Sequence, residues 1–240
     1  MAPAGTPPVP AGARGVFASE RLPLVERYAG LLATDGVTRG LIGPREVPRL
    51  WDRHLMNSAA LLEVLPTTGT VCDVGSGAGL PGLVIALARP DQRVTLLEPL
   101  LRRTRFLEDV VGDLGLENVE VCRGRAEELH GRRVFDVVTS RAVAPLGRLA
   151  RWSMPLVAPT GVLLALKGSS VRAEVTDASD VLRGLGCAEP EVLELGRDLL
   201  AEPTWGLRVA WADPGKVGFP DAGRQAATES RSGSRRRRRS

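Results

Sequence analysis

The chain has 240 residues, of which 43% are apolar and 25% are charged, a composition that is typical of globular proteins and excludes a fibrous or wholly disordered chain. This length can bury a full core in one large domain, or in one domain with a small appendage. The net charge of +4 does not by itself indicate a nucleic-acid partner. Residues 221–240 hold seven arginines against two acidic residues, so the rest of the chain carries −1.

Membrane and metal-binding classes are disfavoured by the sequence. No apolar run approaches the roughly 20 residues that a membrane-spanning helix requires, and the N-terminal stretch lacks the apolar segment of a secretory signal. We therefore expect a cytoplasmic protein with no membrane partner. The three cysteines stand far apart and the only histidines are His54 and His130, so we expect neither a disulfide framework nor a metal site.

The N-terminal quarter of the chain predicts a disordered segment followed by helices. Residues 1–19 are rich in Pro, Ala and Gly and lack periodicity, so we expect disorder there. Apolar residues then recur at helical spacing in segments 21–36 and 44–65, which end at a glycine and before a proline. Residues 20–66 are therefore expected to form a small helical appendage.

From residue 67 onward, short apolar strands alternate with helices, which is typical of a parallel sheet covered on both faces. The predicted strands are 70–75, 93–99, 118–124, 135–143, 161–168, 191–196 and 206–212. The predicted helices are 80–90, 102–116, 145–157 and one that follows the fifth strand and ends at about residue 185. The last two strands can form an antiparallel pair at one edge. We expect an α/β fold with a mostly parallel seven-stranded sheet over residues 67–213, followed by a disordered arginine-rich tail over 214–240.

The glycine-rich stretch CDVGSGAGLPG, residues 72–82, joins the first predicted strand to the helix that follows it. Glycines allow a tight turn with the backbone close to a ligand, and a helix N-terminus adds free N–H groups. Gly77, Gly79 and Gly82 match the dinucleotide fingerprint G-x-G-x-x-G. Gly75, Gly77 and Gly79 match the G-x-G-x-G loop of proteins that bind S-adenosylmethionine. The glycine spacing therefore leaves both cofactors open.

Two acidic residues bear on the choice of cofactor. Glu98, at the end of the second strand, can hydrogen-bond the ribose hydroxyls of either one. Asp73, at the end of the first strand, would repel the pyrophosphate of a dinucleotide and attract the positive groups of S-adenosylmethionine. Asp73 therefore favours S-adenosylmethionine, although the same side chain can also cap the start of the loop.

Six motifs follow one another between residues 20 and 212, and they are RHLMNS (53–58), DVGSGAGLPG (73–82), LLEPLLRRTRFLEDV (96–110), NVEVCRGRAEEL (118–129), FDVVTSRAVAPL (135–146) and ALKG (165–168). With them the chain resembles class I S-adenosylmethionine-dependent methyltransferases and, more narrowly, the bacterial RsmG (GidB) family of 16S rRNA guanine-N7 methyltransferases. The resemblance implies a Rossmann-like class I fold, S-adenosylmethionine as cofactor, and 16S rRNA in the small ribosomal subunit as partner. We expect the enzyme to be a monomer.

The loop and the resemblance together give one set of expected cofactor-binding residues. The resemblance places Ala126 and Glu127 at the adenine side, and Arg141 at the methionine end or at the target. The full set is Asp73, Gly75, Gly77, Gly79, Leu80, Glu98, Ala126, Glu127 and Arg141.

Methylation of guanine N7 makes modest demands on a protein. N7 presents a lone pair and has no proton to lose, so the reaction needs positioning rather than a general base. The scarcity of histidine fits this requirement. Because the methylated base is cationic, we expect Arg141 and Lys167 to bind O6, a phosphate or the methionine carboxylate, as orienting residues.

RNA contacts are expected from local basic patches, because the chain outside its tail is nearly neutral. Arg53 and His54 on the second predicted helix are candidates. His54 shares a stripe with Trp51 and Leu55, however, so a partly buried histidine with satisfied hydrogen bonds is an equal alternative. The other candidates are Arg102, Arg103, Arg105, Arg123, Arg125, Arg148 and Arg151.

Two other functions stay open at this point. A methyltransferase that acts on another RNA or on a small molecule would share every cofactor-binding residue. A nucleic-acid-binding protein with a vestigial cofactor site would need no transfer chemistry, but the intact Asp73, Gly75, Gly77 and Glu98 argue against it.

Overall fold

The structure, a computed structural model, describes residues 7–141 and 143–218. The expected disorder of residues 1–6 and 219–240 lies outside these described residues. Within them, no helix is both long enough and apolar enough to cross a membrane.

Seven strands form one sheet, and their order across it is β3-β2-β1-β4-β5-β7-β6. The strands are β1 (Gly69–Val74), β2 (Gln92–Glu98), β3 (Val119–Arg123), β4 (Phe135–Arg141), β5 (Val157–Lys167), β6 (Glu191–Leu195) and β7 (Thr204–Ala210). β1 to β5 pair in parallel, whereas β7 is antiparallel to both β5 and β6. The predicted mostly parallel seven-stranded α/β sheet is confirmed, and β6 lies at its edge.

The strand bounds differ most from the prediction at β5. It begins at Val157 rather than at residue 161, because Phe135 of β4 pairs with Val157 ahead of a register irregularity. Elsewhere the bounds shift by one or two residues, as the fraying of element ends leads one to expect.

Helices cover both faces of the sheet. The α-helices are α1 (Ala13–Val16), α2 (Leu22–Leu31), α3 (Asn57–Ala59), α4 (Gly82–Ala88), α5 (Leu101–Leu114), α6 (Leu146–Ser153) and α7 (Val171–Gly184). The other helical turns are the π-helical Leu32–Gly36 and Leu50–Met56 and the 3₁₀-helical Pro44–Arg49, Ala60–Glu63, Ala126–Leu129, Met154–Leu156 and Pro214–Lys216. α4 and α5 pack with the N-terminal helices on one face, and α6 and α7 pack on the other.

The structure orders residues 7–19, which differs from the disorder expected over 1–19. Ala13 and Phe17 are buried in the core of the N-terminal helices. The indole nitrogen of Trp51 also donates to the carbonyl oxygen of Pro7 at 3.0 Å. Two apolar side chains and an acceptor for a buried indole hold this segment in place, although its composition carries no periodic signal.

The beginning of the expected disordered tail is also ordered. Pro214–Lys216 forms a 3₁₀ turn, and the Asp213 carboxylate accepts from the backbone N–H of Gly215 at 3.1 Å. This local cap satisfies a free N–H group at the start of the turn.

The strand order reverses at β1, because β2 lies on one side of it and β4 on the other. In open α/β sheets a crevice forms at such a point, outside the carboxyl ends of the strands. The glycine-rich loop, Glu98 and Arg141 all follow or end these three strands, so the fold brings them to this crevice.

Candidate functional site

A large open cavity of about 1710 Å³ lies at the carboxyl ends of the strands. Its walls come from the segments after β1, β2, β4 and β5, from the helical turns between residues 44 and 57, and from the loop between β6 and β7. The expected site residues that line it are Gly75, Gly77, Leu80, Glu98, Arg141, Lys167, Arg53, His54 and Arg103. Residues from both the predicted cofactor loop and the N-terminal helices therefore share one cavity.

The loop after β1 holds its turn through backbone contacts to β2. The N–H groups of Gly75 and Ser76 donate to the carbonyl oxygen of Leu97 at 2.8 and 3.2 Å. Gly75 has a φ of 72°, a left-handed conformation that favours glycine. A side chain at that position would also meet Val143. The loop therefore keeps a bare backbone facing the cavity at Gly75.

Gly79 serves packing rather than the cavity wall. Its φ is 96°, and a Cβ there would overlap Leu83 of α4 and lie 2.9 Å from the Tyr28 hydroxyl. Gly79 is not among the residues that line the cavity. The close approach of α2 and α4 beneath the loop explains why this position is a glycine.

Asp73 lies beneath the loop and caps it. Its side chain is fully buried on the α4 side of β1, and its Oδ2 atom accepts from the Gly82 N–H at 2.9 Å. Burial raises the pKa of the carboxyl to about 7, and the bond from Gly82 opposes this. Of the two roles that the sequence left open for Asp73, the cap is the contact that the structure contains, and Asp73 does not line the cavity.

Glu98 joins the loops after β1 and β2 at the cavity wall. Its Oε2 atom accepts from the Gly77 N–H and its Oε1 atom from the Leu100 N–H, each at 3.0 Å. The Arg103 guanidinium lies 3.7 Å from Oε2. Only 2% of the Glu98 side-chain surface is exposed. Each carboxylate oxygen keeps a further lone pair, so this group can still accept hydrogen bonds from a ligand.

Arg141, at the end of β4, contacts the helical turns of the N-terminal region. One guanidinium nitrogen donates to the Arg53 carbonyl oxygen at 3.1 Å, and the other donates to Nδ1 of His54 at 2.8 Å. The Nε2 atom of His54 lies 3.1 Å from the Glu46 carboxylate. Because an arginine can only donate, Nδ1 must be the acceptor and Nε2 must carry the proton.

The candidate RNA-binding pair is engaged within the protein. Glu46 accepts from the Arg53 guanidinium at 3.2 and 3.3 Å and from His54. The His54 side chain is only 16% exposed. The structure therefore contains the alternative stated for His54, a partly buried histidine with both ring nitrogens paired, and Arg53 is not a free cation.

Lys167, at the end of β5, is also paired. Its ammonium group donates to the Glu174 carboxylate of α7 at 2.7 Å and to the Ala144 carbonyl oxygen at 3.0 Å, and 6% of the side chain is exposed. The same Glu174 oxygen accepts from the Leu146 N–H at 3.1 Å. Lys167 and Glu174 thus tie the segment after β4 to β5 and α7 at the cavity wall.

Comparison with solved structures supports the fold. A SAM-dependent methyltransferase from Aquifex aeolicus aligns over 70% of this chain and 98% of its own, with a TM-score of 0.50 and 19% identity. A ribosomal protein L11 methylase from Lactobacillus delbrueckii subsp. bulgaricus aligns over 65% and 76%, with a TM-score of 0.50 and 14% identity. The sheet is that of the class I methyltransferases.

Sequence comparison decides the family. The model for the GidB family, described as rRNA small subunit methyltransferase G, matches residues 21–198. The chain belongs to the GidB family. Among its relatives, the ribosomal RNA small subunit methyltransferase G of Nocardioides sp. is 64% identical, over 97% of this chain and 91% of the relative. The protein of the same name from Streptomyces avermitilis is 54% identical, over 97% of each.

Two residues implied by the likeness to GidB proteins lie apart from the cavity. Ala126 is buried in the core and Glu127 is exposed on the 3₁₀ turn after β3, and neither lines the cavity. Of the arginine candidates, Arg103 is half-buried near Glu98, while Arg102, Arg105, Arg123, Arg125, Arg148 and Arg151 are exposed.

Three further residues around this GidB site carry little signal in the sequence. Tyr28 supports the loop, Glu174 pairs with Lys167, and Glu46 pairs with both Arg53 and His54. Glu46 stands seven and eight residues before its partners, across 3₁₀ and π turns. Neither separation fits the three- or four-residue spacing that predicts a side-chain pair on an α-helix.

Proposed function

We propose that this protein transfers the methyl group of S-adenosylmethionine to N7 of a guanine in the 16S rRNA of the small ribosomal subunit, and so acts in the cytoplasm. The observation that carries the proposal is the single cavity shared by the glycine-rich loop, Glu98, Arg141 and the N-terminal helical turns, in a chain of the GidB family.

The residues of the cavity fit S-adenosylmethionine. A Cβ at Gly77 would meet only the Gly75 carbonyl oxygen, at 3.8 Å, so the backbone there is open to a ligand. Glu98 has lone pairs for ribose hydroxyls, and the buried position of this carboxylate strengthens such bonds. Leu80 gives the wall an apolar surface. Arg141 supplies a cation for the methionine carboxylate or for a group of the target nucleotide.

The transfer itself needs no proton acceptor. When bound, S-adenosylmethionine supplies a methyl group on a positively charged sulfur. In the transfer, the lone pair of N7 would form the new N–C bond and the C–S bond would break with its electron pair left on sulfur, so the positive charge would pass to the base. The protein's part is to align N7 with the methyl group and to keep the cavity walls fixed. The paired states of His54 and Lys167 support this assignment, since neither is available as a base.

The deciding experiment uses small subunits purified from a strain in which this gene is deleted. We expect the protein to incorporate labelled methyl groups into their 16S rRNA, at one guanine that becomes a 7-methylguanine. Free 16S rRNA, large-subunit rRNA and small-molecule acceptors are compared in parallel. Labelling only of the other acceptors would assign another methyltransferase activity. RNA binding without binding of S-adenosylmethionine would instead indicate a vestigial cofactor site.

A further inference from the structure

Glu46, His54 and Arg141 form a continuous hydrogen-bonded chain that ends at the cavity. Glu46 lies on the 3₁₀ turn Pro44–Arg49, His54 on the π turn Leu50–Met56, and Arg141 at the end of β4. The contacts are 3.1 Å from Glu46 to Nε2 of His54 and 2.8 Å from Nδ1 to the Arg141 guanidinium. All three residues line the cavity.

These contacts restrict the Arg141 side chain from one side. The guanidinium donates to His54 and to the Arg53 carbonyl oxygen, so two of its nitrogens are fixed by the N-terminal turns. An arginine has five N–H donors in a rigid fork. The remaining N–H groups of Arg141 can donate to a ligand in the cavity. The two bonds already made fix the direction in which these N–H groups point.

We propose that Glu46 and His54 are positioning residues that hold Arg141 in the methyl-transfer site through a neutral His54 with its proton on Nε2. This inference rests on the proposed function for its catalytic consequence. In this chain of contacts Glu46 selects the tautomer, and the tautomer leaves Nδ1 free to accept from Arg141. The side chains that hold Arg141 in place then come from the N-terminal region rather than from the sheet.

Burial and the neighbouring arginines keep the His54 ring neutral, although Glu46 opposes them. Arg141 faces it from β4, Glu46 from the preceding 3₁₀ turn, and Arg53 is its neighbour on the π turn, while Arg49 lies close enough to act on Glu46. Burial and the Arg141 charge lower the pKa of His54 below its usual 6.5, against the hydrogen bond that His54 donates to Glu46. When acid does protonate Nδ1, the acceptor for Arg141 is lost and two cations adjoin, so the contact between Arg141 and His54 breaks and only the bond to the Arg53 carbonyl oxygen is left.

The kinetic test compares His54→Leu with His54→Gln. Leucine removes both contacts, whereas glutamine keeps an acceptor and donors but cannot titrate near neutral pH. We expect kcat/KM for methylation of small subunits to fall about 10- to 100-fold in His54→Leu, the size of effect that a misplaced group produces. His54→Gln should recover most of the rate and should lose the fall in kcat/KM that we expect of the wild type below about pH 6.5.

His130 offers a matched control. Its Nε2 atom donates to the Trp152 carbonyl oxygen, 2.9 Å away, and it does not line the cavity. His130→Gln should leave both the rate and the pH profile unchanged. A folded His54→Leu protein with full activity, or a His54→Gln protein that keeps the wild-type acid limb, would overturn the positioning role.

A second readout does not depend on methyl transfer or on a variant at His54 folding. Nitrogen NMR of the two histidines in the wild-type protein should show the His54 proton on Nε2 and a titration midpoint below 6.5. Replacing the guanidinium in Arg141→Met should shift the His54 ring signals and raise its midpoint. A proton on Nδ1, or ring signals that ignore Arg141→Met, would overturn the inference. If small subunits are never methylated, the proposed function fails while this spectroscopic result still stands.

Discussion

The hydroxyl group of Tyr28 donates a 2.7 Å hydrogen bond to the carbonyl oxygen of Ala78. Tyr28 lies on α2 and is completely buried, whereas Ala78 belongs to the glycine-rich loop, 50 residues further along the chain. Burial raises the pKa of the Tyr28 hydroxyl well above its usual value, so it remains a donor across the physiological range. The N-terminal helices thus support the proposed cofactor loop directly.

Replacing Tyr28 by phenylalanine removes this bond and keeps the ring. We expect the free energy of unfolding to fall by about 1–3 kcal/mol, because a buried polar group loses its partner. Since Ala78 lines the cavity, binding of S-adenosylhomocysteine should also weaken. Urea unfolding and titration calorimetry measure the two effects. Thr38→Val is the control, because it removes an exposed hydroxyl bond within a helical turn and should change little.

Substitutions at two glycines of the loop distinguish a packing role from a role in ligand binding. Both Gly77 and Gly79 have positive φ, 58° and 96°, so alanine strains the backbone at either one. Only Gly79→Ala would also press on Leu83 and the Tyr28 hydroxyl. We expect Gly79→Ala to cost about 1–3 kcal/mol more stability than Gly77→Ala. Gly77→Ala should show its larger effect in the affinity for S-adenosylhomocysteine. Equal losses of stability in the two variants would contradict the packing role of Gly79.

Glu98 and Glu127 are both expected to bind the cofactor, but they lie in different places. Glu98 accepts from two loop N–H groups at the cavity wall, whereas Glu127 is exposed and outside it. Glu98→Gln keeps only one acceptor oxygen, so it loses a backbone bond and presents a donor where ribose hydroxyls need an acceptor. We expect its affinity for S-adenosylhomocysteine to fall at least about tenfold, which corresponds to about 1.4 kcal/mol.

For Glu127→Gln we expect an affinity within about twofold of the wild type, or about 0.4 kcal/mol. The comparison uses the same calorimetric titration and the same change from carboxylate to amide. A loss of binding in Glu127→Gln comparable to that in Glu98→Gln would show that the 3₁₀ turn after β3 reaches the cofactor when it is bound.

The parts of the site that the sequence predicted are those set by local pattern. Apolar strands that alternate with helices fix the sheet, and a strand followed by glycines and a helix places Gly75, Gly77 and Glu98 at one edge of it. Such signals depend on residues close together in the chain. The contacts of Arg141 with His54 and of Tyr28 with Ala78 join residues 87 and 50 positions apart. They follow from how the N-terminal helices pack on α4 and α5, which no single segment specifies.

The local sequence pattern also did not predict which of these side chains are buried. The charge of Asp73 predicts a position beside the ligand, yet the side chain is fully enclosed and accepts from the Gly82 N–H at the end of the loop. Side chains alternate along a strand, and Asp73 takes the face of β1 that α4 covers. In residues 7–19 the composition favours disorder, yet the segment is ordered. The buried side chain of Phe17 and the hydrogen bond from the Trp51 indole hold it in place.

The buried carboxyl of Asp73 should make stability depend on pH. Its pKa is raised by burial from 3.8 to about 7, so between these values the folded protein holds a proton that the unfolded chain releases. Stability is therefore highest below the unfolded pKa and falls as pH rises through about 7. The difference between the two pKa values corresponds to a loss of about 4 kcal/mol in the free energy of unfolding when Asp73 ionises in the folded protein.

Asp73→Asn removes this titration and keeps an oxygen that can accept from the Gly82 N–H. We expect the variant's free energy of unfolding, relative to the wild type, to increase between about pH 4 and pH 7 by up to about 4 kcal/mol. Urea unfolding at several pH values measures it. The exposed Asp91→Asn variant corrects for the loss of one negative charge. The lowered pKa of His54 acts with the opposite sign, but it is present in both proteins and cancels. A difference that is constant across this range would mean that Asp73 is already ionised in the folded protein at acid pH.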